Sequence, residues 1–235
     1  MPKQVDYEDR RRRIAEAVCV LADAHGPEGV TMRDVAARAE VSLGAVQRCF
    51  RTKEEMLVFA VDHVGARVTE RMRSRLSDSR ERSAGAALEH AATEIALLRS
   101  AHRAEARVWL AFVAQAAVSE PLAARLRISY AALQGLLARL VAEAVEGGPG
   151  DPDSPGGPGG PGGPGGPGGP DDGSAAPLDP QREARALLAL ADGLTSHVLI
   201  GHLTTEEAED TLRAHVVRLW EHPRTTRPGQ AARPG

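Results

Sequence analysis

The chain has few of the residues that hold small secreted proteins together or bind flat ligands. Of its 235 residues, 3% are aromatic and two are cysteines. Cys19 and Cys49 each lie in an apolar helical pattern on a chain without a secretion signal, so we expect reduced core residues and no disulfide. The scarcity of aromatic rings argues against flat cationic drugs as ligands, because such molecules are held by π-faces.

The chain also lacks a strong net charge and a long apolar run. Its 29 Lys and Arg residues and 32 Asp and Glu residues give a formal net charge of -3, so any nucleic-acid site must be a local patch. The best candidate for a membrane span, residues 186–203, is interrupted by Asp192 and His197, and no apolar segment follows the charged N-terminus. We therefore expect a soluble cytoplasmic protein with no membrane partner.

Sequence motifs for catalysis are missing. The chain contains no Gly-x-Ser-x-Gly elbow, no Gly-rich phosphate loop ending in Lys-Ser or Lys-Thr, no His-Glu-x-x-His and no Cys-x-x-Cys. His90 with Glu94 and His197 with His202 are spaced like pairs of metal ligands, but two-residue matches among eight histidines are expected by chance. The sequence predicts a protein that is not an enzyme, with no cofactor and no metal site.

Glycine and proline are concentrated in one segment, residues 147–177, which holds 14 of the 24 glycines and 9 of the 16 prolines. Its centre is a Pro-Gly-Gly repeat at 155–170, which offers almost no apolar area to bury. A collagen triple helix is excluded, because glycine also fills one of the two other positions in each triplet. The segment is predicted to be a disordered linker.

The rest of the sequence predicts an all-α fold. Ala, Leu, Arg and Glu dominate, and strand-like alternation of β-branched residues is missing. Thr31–Asp34 and Thr52–Glu55 both have the capping-box pattern of a helix start. Between them, a short helix through Ala39, a tight connection at Glu40–Val41 and a second short helix at 42–50 predict a helix-turn-helix over residues 31–50.

A helix-turn-helix binds DNA when a small apolar core holds its second helix and leaves that helix's outer side free for base edges. The predicted core residues are Val35, Ala36, Val41, Val46 and Phe50. The residues predicted to point outward are Ser42, Leu43, Gly44, Ala45, Gln47 and Arg48. Between Thr31 and Lys53, five basic residues against two acidic ones make a local basic patch on a nearly neutral protein.

Residues 10–64 resemble the DNA-binding domain of the tetracycline-repressor-type (TetR) family of bacterial regulators. The resemblance is carried by the strings at Ile14–Ala17, Gly29–Ala36, Val41–Gly44 and Phe50–Leu57. Gln47 departs from the family pattern, which usually has an aromatic residue at this position, so operator preference cannot be carried over. In the C-terminal half, a Leu-rich run before Ala191-Asp-Gly-Leu194 resembles the BetI-like branch.

The resemblance implies an N-terminal three-helix DNA-binding domain at 8–68 and a C-terminal helical domain at 69–222. The C-terminal domain would bind a ligand and dimerise, the linker would interrupt it, and a flexible tail would follow at 223–235. The function implied is a homodimeric repressor that an unknown small-molecule inducer releases from double-stranded operator DNA. The alternatives are an activator, a ligand-independent regulator, or a helical interaction protein that does not bind DNA.

Three sets of contact residues follow from this prediction. Gln47 and Arg48 are expected to read or flank bases, while Thr31, Arg33 and Lys53 hold the DNA backbone. The ligand is expected among the helices of residues 84–145 and 181–200, near Arg107, Trp109, Phe112 and Gln115. The alternative, favoured for any single one of these residues, is that Trp109 and Phe112 fill the core while Arg107 reaches solvent. The expected dimer contacts on the last two helices are Leu187, Leu190, Leu194, Leu212, Val216 and Leu219.

Overall fold

The computed structural model describes residues 2–77, 83–147 and 178–221. Within these ranges the chain is helical and has no strand, which confirms the all-α prediction. The predicted linker, apart from its first residue Gly147, and the predicted tail lie outside the described residues. The helices are α1 (Pro2–Gly29), α2 (Met32–Arg38), α3 (Leu43–Cys49), α4 (Lys53–Ser77), α5 (Ala84–Ile95), α6 (Arg103–Ala116), α7 (Glu120–Gly147), α8 (Pro180–Leu199) and α9 (Thr205–Glu221), with a 3-10 turn at Ser100–His102.

Local sequence signals set several of the helix ends. The helix α1 is interrupted at Gly26, whose φ of 70° lies in the left-handed region that favours glycine. The Asp179 carboxylate accepts a hydrogen bond from the Gln181 amide at 2.9 Å and caps α8, whose first residue is Pro180. Such ends depend on a few adjacent residues, so they can be predicted from the sequence.

The helix α4 belongs to both halves of the protein. At its start it packs against α1, and along its length it also packs against α5, α6 and α7. It runs from Lys53 to Ser77 in one piece, so the expected domain boundary at 68/69 falls inside a single helix. The buried apolar residues form one contiguous core that extends from Ile14 on α1 to Leu219 on α9.

The most hydrophobic long helix of the described residues is α7, and not the 186–203 segment that the sequence analysis placed first. By length and composition Glu120–Glu146 is apolar enough to cross a membrane, with a mean hydropathy of 1.3. In this structure α7 packs against α4, α5, α6, α8 and α9. Leu122, Leu137 and Val141 on α7 are almost completely buried in these contacts. These are the contacts of a helix within a bundle.

Both cysteines are free thiols inside the helical core. Cys49 on α3 is buried, and Cys19 on α1 is half-buried. Burial raises the pKa of the Cys19 thiol to about 12 and also raises the pKa of the Cys49 thiol, so both remain protonated at neutral pH. Because the thiolate is the reactive form, neither residue is an activated nucleophile.

We expect both thiols to resist alkylation in the folded protein. Titration with a chromogenic disulfide reagent at neutral pH should show almost no reaction before denaturant is added, and two thiols per chain afterwards. Rapid reaction of either cysteine in the native protein would contradict the burial described here.

Candidate nucleic-acid interface and small-molecule site

The first part of the candidate DNA interface is the pair of short helices α2 and α3, whose starts are capped by hydroxyl side chains. Thr31 Oγ1 accepts a hydrogen bond from the Asp34 amide at 3.2 Å and donates to the Asp34 carboxylate at 2.6 Å. Ser42 Oγ accepts from the Ala45 amide at 3.1 Å. Each cap satisfies a helix amide that has no partner within its helix, so the hydroxyls fix where α2 and α3 begin.

A tight turn sets the angle between these two helices. Glu40 has a φ of 55°, in the left-handed region, and the Val41 amide donates to the Ala36 carbonyl at 3.0 Å. Val41 is half-buried, and the other four predicted core residues are buried. These are Val35, Ala36, Val46 and Phe50. The helix-turn-helix predicted for residues 31–50 is therefore present, with α2 packed behind α3.

The outer side of α3 carries most of the side chains that we predicted to face DNA. Gln47, Arg48 and the capping residue Ser42 are exposed, while Leu43 and Gly44 are half-buried. Arg48 lies along the helix, with Nη1 3.6 Å from the position that a Cβ on Gly44 would occupy. A Cβ at this position would make only an ordinary van der Waals contact with the guanidinium.

Ala45 does not face outward, so this part of the prediction is wrong. It is 7% exposed and lies on the same side of α3 as the buried Val46 and Cys49. At 3.6 residues per turn, positions 45, 46 and 49 share one face of a helix, and positions 44, 47 and 48 share the opposite face. The inner face packs on the core and cannot reach DNA.

Lys53 begins α4 and is held in place by the last turn of α1. Its Nζ donates to the Glu28 carbonyl at 2.6 Å. Thr52 Oγ1 accepts from the Glu55 amide at 3.0 Å, and the Glu55 carboxylate accepts from the Arg51 amide at 2.8 Å. The predicted cap at the start of α4 is therefore present. The Glu55 side chain, however, accepts its hydrogen bond from the Arg51 amide and not from the Thr52 amide. Lys53 is thereby positioned beside the end of α1.

The basic patch predicted between residues 31 and 53 is on the surface. Its four arginines are exposed and Lys53 is half-buried. The arginines are Arg33, Arg38, Arg48 and Arg51. Thr31, the predicted backbone contact at the start of α2, is also exposed. Cationic side chains and helix starts thus lie on the same part of the molecule, which is the arrangement that binds phosphates.

Arg11 has a contact that the sequence analysis missed. Its guanidinium carbon lies 4.1 Å from the ring centre of Phe59, 5.0 Å from that of Phe50 and 5.8 Å from that of Tyr7. Three of the seven aromatic residues are thus used to hold one cation of α1 against α3 and α4. This cluster braces the helix-turn-helix from the side of α1.

The predicted ligand residues of α6 do not form one site. Arg107 points away from the bundle and binds the Asp23 carboxylate on α1, with Nε to Oδ1 at 2.6 Å and Nη2 to Oδ2 at 2.8 Å. Phe112 is completely buried in the core, and Gln115 is half-buried. Arg107 therefore does not line a common pocket with Trp109, so this part of the prediction is wrong.

Trp109 instead belongs to a cluster with Tyr130 on α7 and Asp192 on α8. The Tyr130 hydroxyl donates to one oxygen of the Asp192 carboxylate at 2.5 Å, and Trp109 Nε1 donates to the other at 3.4 Å. The two rings meet edge to face, with their centres 5.7 Å apart. Asp192 appeared in the sequence only as the charge that interrupts residues 186–203, and nothing in the spacing indicated its partners.

The environment of Asp192 is unusual for a carboxylate. Burial raises the pKa of Asp192, and the hydrogen bonds from Tyr130 and Trp109 act in the opposite direction. Burial and the bond to Asp192 raise the pKa of Tyr130, so its hydroxyl remains a donor. Both donors are neutral, and no cation among the described residues stabilises the charge of Asp192. The cluster is therefore a half-buried carboxylate that lacks a counter-charge.

A second group of charges joins α4 to α5 and α6. Arg71 Nε donates to the Glu94 carboxylate at 3.2 Å, and Arg71 Nη1 donates to the Glu105 carboxylate at 3.0 Å. Arg99 Nη1 lies 3.1 Å from the other oxygen of Glu94, whose side chain is fully buried. Removing one partner of a buried ion pair costs about 3–5 kcal/mol. Arg71 therefore ties the far end of α4 firmly to the bundle.

A shallow cleft, with essentially no space for even a water molecule, lies where α5 ends, α6 begins and α8 ends. It does not include Trp109, Phe112 or Gln115. Its lining residues are Leu97, Leu98, Arg103, Ala106, Thr195, Val198 and Leu199. Sites for small organic ligands usually measure about 300–1,000 Å³. A ligand of that size must therefore move the helices apart in order to enter.

Five of the six residues predicted to meet a symmetry mate lie inside the chain's own core, so the contacts predicted for these five are wrong. Leu190 is half-buried, and the other five are at most 6% exposed. These five are Leu187, Leu194, Leu212, Val216 and Leu219. The reason is that α8 and α9 turn their apolar faces toward α5 and α7 of the same chain. A leucine stripe shows which side of a helix is buried but not what covers it.

The outer side of α8 carries small residues. Ala186, Ala189 and Gly193 are exposed at helical spacing, and His197 follows one turn later. A Cβ added to Gly193 would meet no atom within 4 Å. The backbone of α8 is thus open to close approach by another helix.

Two family models match the chain. Residues 14–58 match the bacterial regulatory proteins of the tetR family, and residues 84–155 with 167–221, just over half of the chain, match the C-terminal domain of BetI-type transcriptional repressors. The chain belongs to the TetR family. Both resemblances stated from the sequence are confirmed, and the TetR family is a family of transcriptional regulators.

Curated relatives of the TetR type match parts of the chain. The HTH-type transcriptional regulator PksA of Bacillus subtilis is 38% identical over 119 residues, which cover 49% of this chain and 56% of PksA. The HTH-type transcriptional repressor KstR of Rhodococcus jostii is 45% identical over 67 residues, which cover 28% of this chain and 30% of KstR. The chain spans about half or less of the length of these relatives.

Solved TetR-type structures match nearly the whole chain. A TetR-family regulator from Rhodococcus sp. has a TM-score of 0.71 and 22% identity, covering 91% of this chain and 99% of that chain. A regulator from Saccharomonospora viridis, solved in complex with choline, has a TM-score of 0.66 and 21% identity, covering 92% and 97%. These similarities show a common fold.

Proposed function

We propose that this TetR-family protein is a DNA-binding transcriptional repressor that acts as a homodimer and leaves its operator when a small molecule binds. The observation that carries the proposal is the exposed pair Gln47 and Arg48 on α3, within a capped helix-turn-helix. In this proposal the DNA-binding unit comprises residues 8–68 and the regulatory unit residues 69–222. The protein acts in the cytoplasm in this proposal, because the bacterial chromosome lies there.

In this proposal, DNA recognition follows from the positions of the exposed side chains on and around α3. With α3 in the major groove, Gln47 reaches adenine and Arg48 reaches guanine, each through two hydrogen bonds. Thr31, Arg33 and Lys53 bind phosphates on either side of the groove. Lys53 uses one of its three ammonium donors on a backbone carbonyl, which positions the other two. The contact surface also includes the first residues of α3, namely Ser42, Leu43 and Gly44.

We expect Gln47→Ala and Lys53→Ala to weaken DNA binding in different ways. On duplexes selected by the wild-type protein from a random pool, Gln47→Ala should cost about 1–3 kcal/mol and relax preference at one base pair. Lys53→Ala should weaken selected and scrambled duplexes about equally and reduce the slope of log K against log salt by about one. Fluorescence anisotropy measures both effects.

Arg73→Ala is the matched control for Lys53→Ala, because Arg73 is an exposed cation on the same helix but far from its start. It should leave affinity and salt slope unchanged. If the random pool yields no selected duplex, or if Gln47→Ala weakens every sequence equally, the proposed DNA interface is wrong.

Dimerisation follows from the limited contact that one short recognition helix can make. A two-fold dimer doubles the contacts and matches half-sites one or more helical turns apart. The proposal places α8 against α8 of a second copy, with α9 beside it, through the small exposed residues Ala186, Ala189 and Gly193. Without large side chains in between, two such helices pack closely.

We expect Gly193→Glu to convert the dimer to a monomer. The new side chain has room within its own chain, but it places like charges opposite each other across the two-fold axis. Sedimentation velocity at micromolar concentration measures the change. Ala131→Glu on the exposed side of α7 is the matched control and should remain a dimer. A wild-type monomer, or a Gly193→Glu dimer of undiminished stability, would contradict this interface.

The ligand site is proposed at the cluster of Trp109, Tyr130 and Asp192. A half-buried carboxylate without a counter-charge, next to two aromatic rings, attracts a small organic cation through charge and ring faces. The structural neighbour from Saccharomonospora viridis was solved with choline, which is a compound of this class. A ligand that enters here separates α6 from α8. If it binds the DNA-free form tenfold more tightly, operator binding weakens tenfold, about 1.4 kcal/mol.

We expect choline to raise the thermal midpoint of the wild-type protein and to have no such effect on Asp192→Asn. Since the raised pKa belongs to an acid, the carboxylate is present above that pKa and is lost as the pH falls through it, so the choline effect should diminish toward acid pH. Asp210→Asn on the surface of α9 is the control and should respond like the wild type. Equal stabilisation of wild type and Asp192→Asn would refute this site.

A further inference from the structure

We infer that the pair Arg107–Asp23 positions the DNA-binding unit on the bundle and so fixes the separation of the two recognition helices in the dimer. The inference rests on the proposed DNA-binding function. It assigns a positioning role to two residues that lie outside both the candidate DNA contacts and the Asp192 cluster.

The ion pair between Arg107 and Asp23 has a defined orientation. Its two bonds, at 2.6 Å and 2.8 Å, join one planar guanidinium to one planar carboxylate. Such a two-point contact fixes the orientation of both groups as well as their distance. Arg107 lies on α6 of the regulatory unit, and Asp23 lies on α1, 84 positions earlier in the chain. The contact therefore sets how α1 is turned against α6.

Small side chains lie next to the ion pair on both helices. The buried neighbours of the pair in the sequence, Ala22 on α1 and Ala106 on α6, have small side chains. Small side chains bring helices close together but do not interlock like ridges and grooves of larger residues. The ion pair therefore adds a directional contact to the packing of α1 on α6.

The orientation of α1 reaches the recognition helix through direct packing. The helix α1 packs on α2, α3 and α4, and Arg11 on α1 is held against the rings of Phe50 and Phe59. Through these contacts α1 holds the other helices of the DNA-binding unit in place. A rotation of α1 against the bundle therefore moves both copies of α3 in the dimer relative to each other.

The position of Arg107 on α6 also connects it to the ligand cluster. Glu105, Arg107 and Trp109 occupy every second position along one short segment of this helix. Glu105 binds Arg71 on α4, Arg107 binds Asp23 on α1, and Trp109 binds Asp192 on α8. A ligand that displaces Trp109 thus acts on the same segment of α6 that holds α1.

The pair contributes little to folding, so variants at Arg107 can be studied in the native state. The Arg107 side chain is 47% exposed and that of Asp23 is 24% exposed. Ion pairs at the surface add little net stability, because water already solvates both charges and salt screens them. Arg107→Ala and Arg107→Lys are therefore expected to keep the thermal midpoint within a few degrees of the wild type.

The test measures how strictly the protein reads the spacing of half-sites. Duplexes selected by the wild-type protein are compared with duplexes in which two base pairs are inserted at the centre, which rotates one half-site by about 70°. The wild type should lose affinity by about tenfold or more on the inserted duplex. For Arg107→Ala and Arg107→Lys, the loss should fall to about threefold or less, with affinity for an isolated half-site unchanged.

Two controls separate positioning from a general weakening of the fold. The exchange Asp23→Arg with Arg107→Asp should restore the strict spacing, because the bidentate contact is rebuilt in reverse. Arg213→Ala removes a similar surface pair, Arg213–Glu89 between α9 and α5, and should keep the wild-type spacing preference. If Arg107→Ala discriminates between the two spacings as strongly as the wild type, the inference is wrong. If the wild type selects no duplex at all, the proposed function fails and the inference fails with it.

Discussion

The structure depends on the continuity of α4. Its first residue, Lys53, stands in the candidate DNA interface, and Arg71, five turns later, is held by the buried carboxylate of Glu94. A helix of 25 residues transmits a displacement along its axis because its backbone hydrogen bonds resist bending. The buried ion pair makes the far end costly to detach. The DNA-binding unit and the bundle therefore stay joined through α4, while the pair Arg107–Asp23 sets how α1 is turned against α6.

The helix α6 adds a second connection of a different kind. The contact of Arg107 with Asp23 lies at the surface and that of Trp109 with Asp192 is half-buried, and each involves few bonds. The contact of Arg71 with Glu94, in contrast, includes a fully buried carboxylate. A ligand can thus alter the weaker connections at modest cost while the stronger one keeps the two units joined. Allosteric coupling needs a mobile element of this sort whose position both sites influence. In this protein α6 contacts α1 of the DNA-binding unit through Arg107 and the Asp192 cluster through Trp109.

The parts that could be predicted from the sequence are those fixed by adjacent residues. The caps at Thr31 and Ser42 involve residues three apart, and the core of the helix-turn-helix follows from helical spacing. What each apolar helix face packs against was harder to predict, because the leucine stripes of α8 and α9 do not indicate whether the same chain or a partner covers them. The pairs Arg107–Asp23 and Tyr130–Asp192 join residues 84 and 62 positions apart, and such contacts depend on how whole helices pack.

The central claim is that two copies of α3, held at a fixed separation, read duplex DNA. Hydroxyl-radical cleavage of a duplex selected by the protein tests this most directly, because it maps protected backbone at single-nucleotide resolution. The account predicts two protected segments related by two-fold symmetry, with centres separated by one helical turn or a whole multiple of it. A single protected segment, or protection without symmetry, would contradict it.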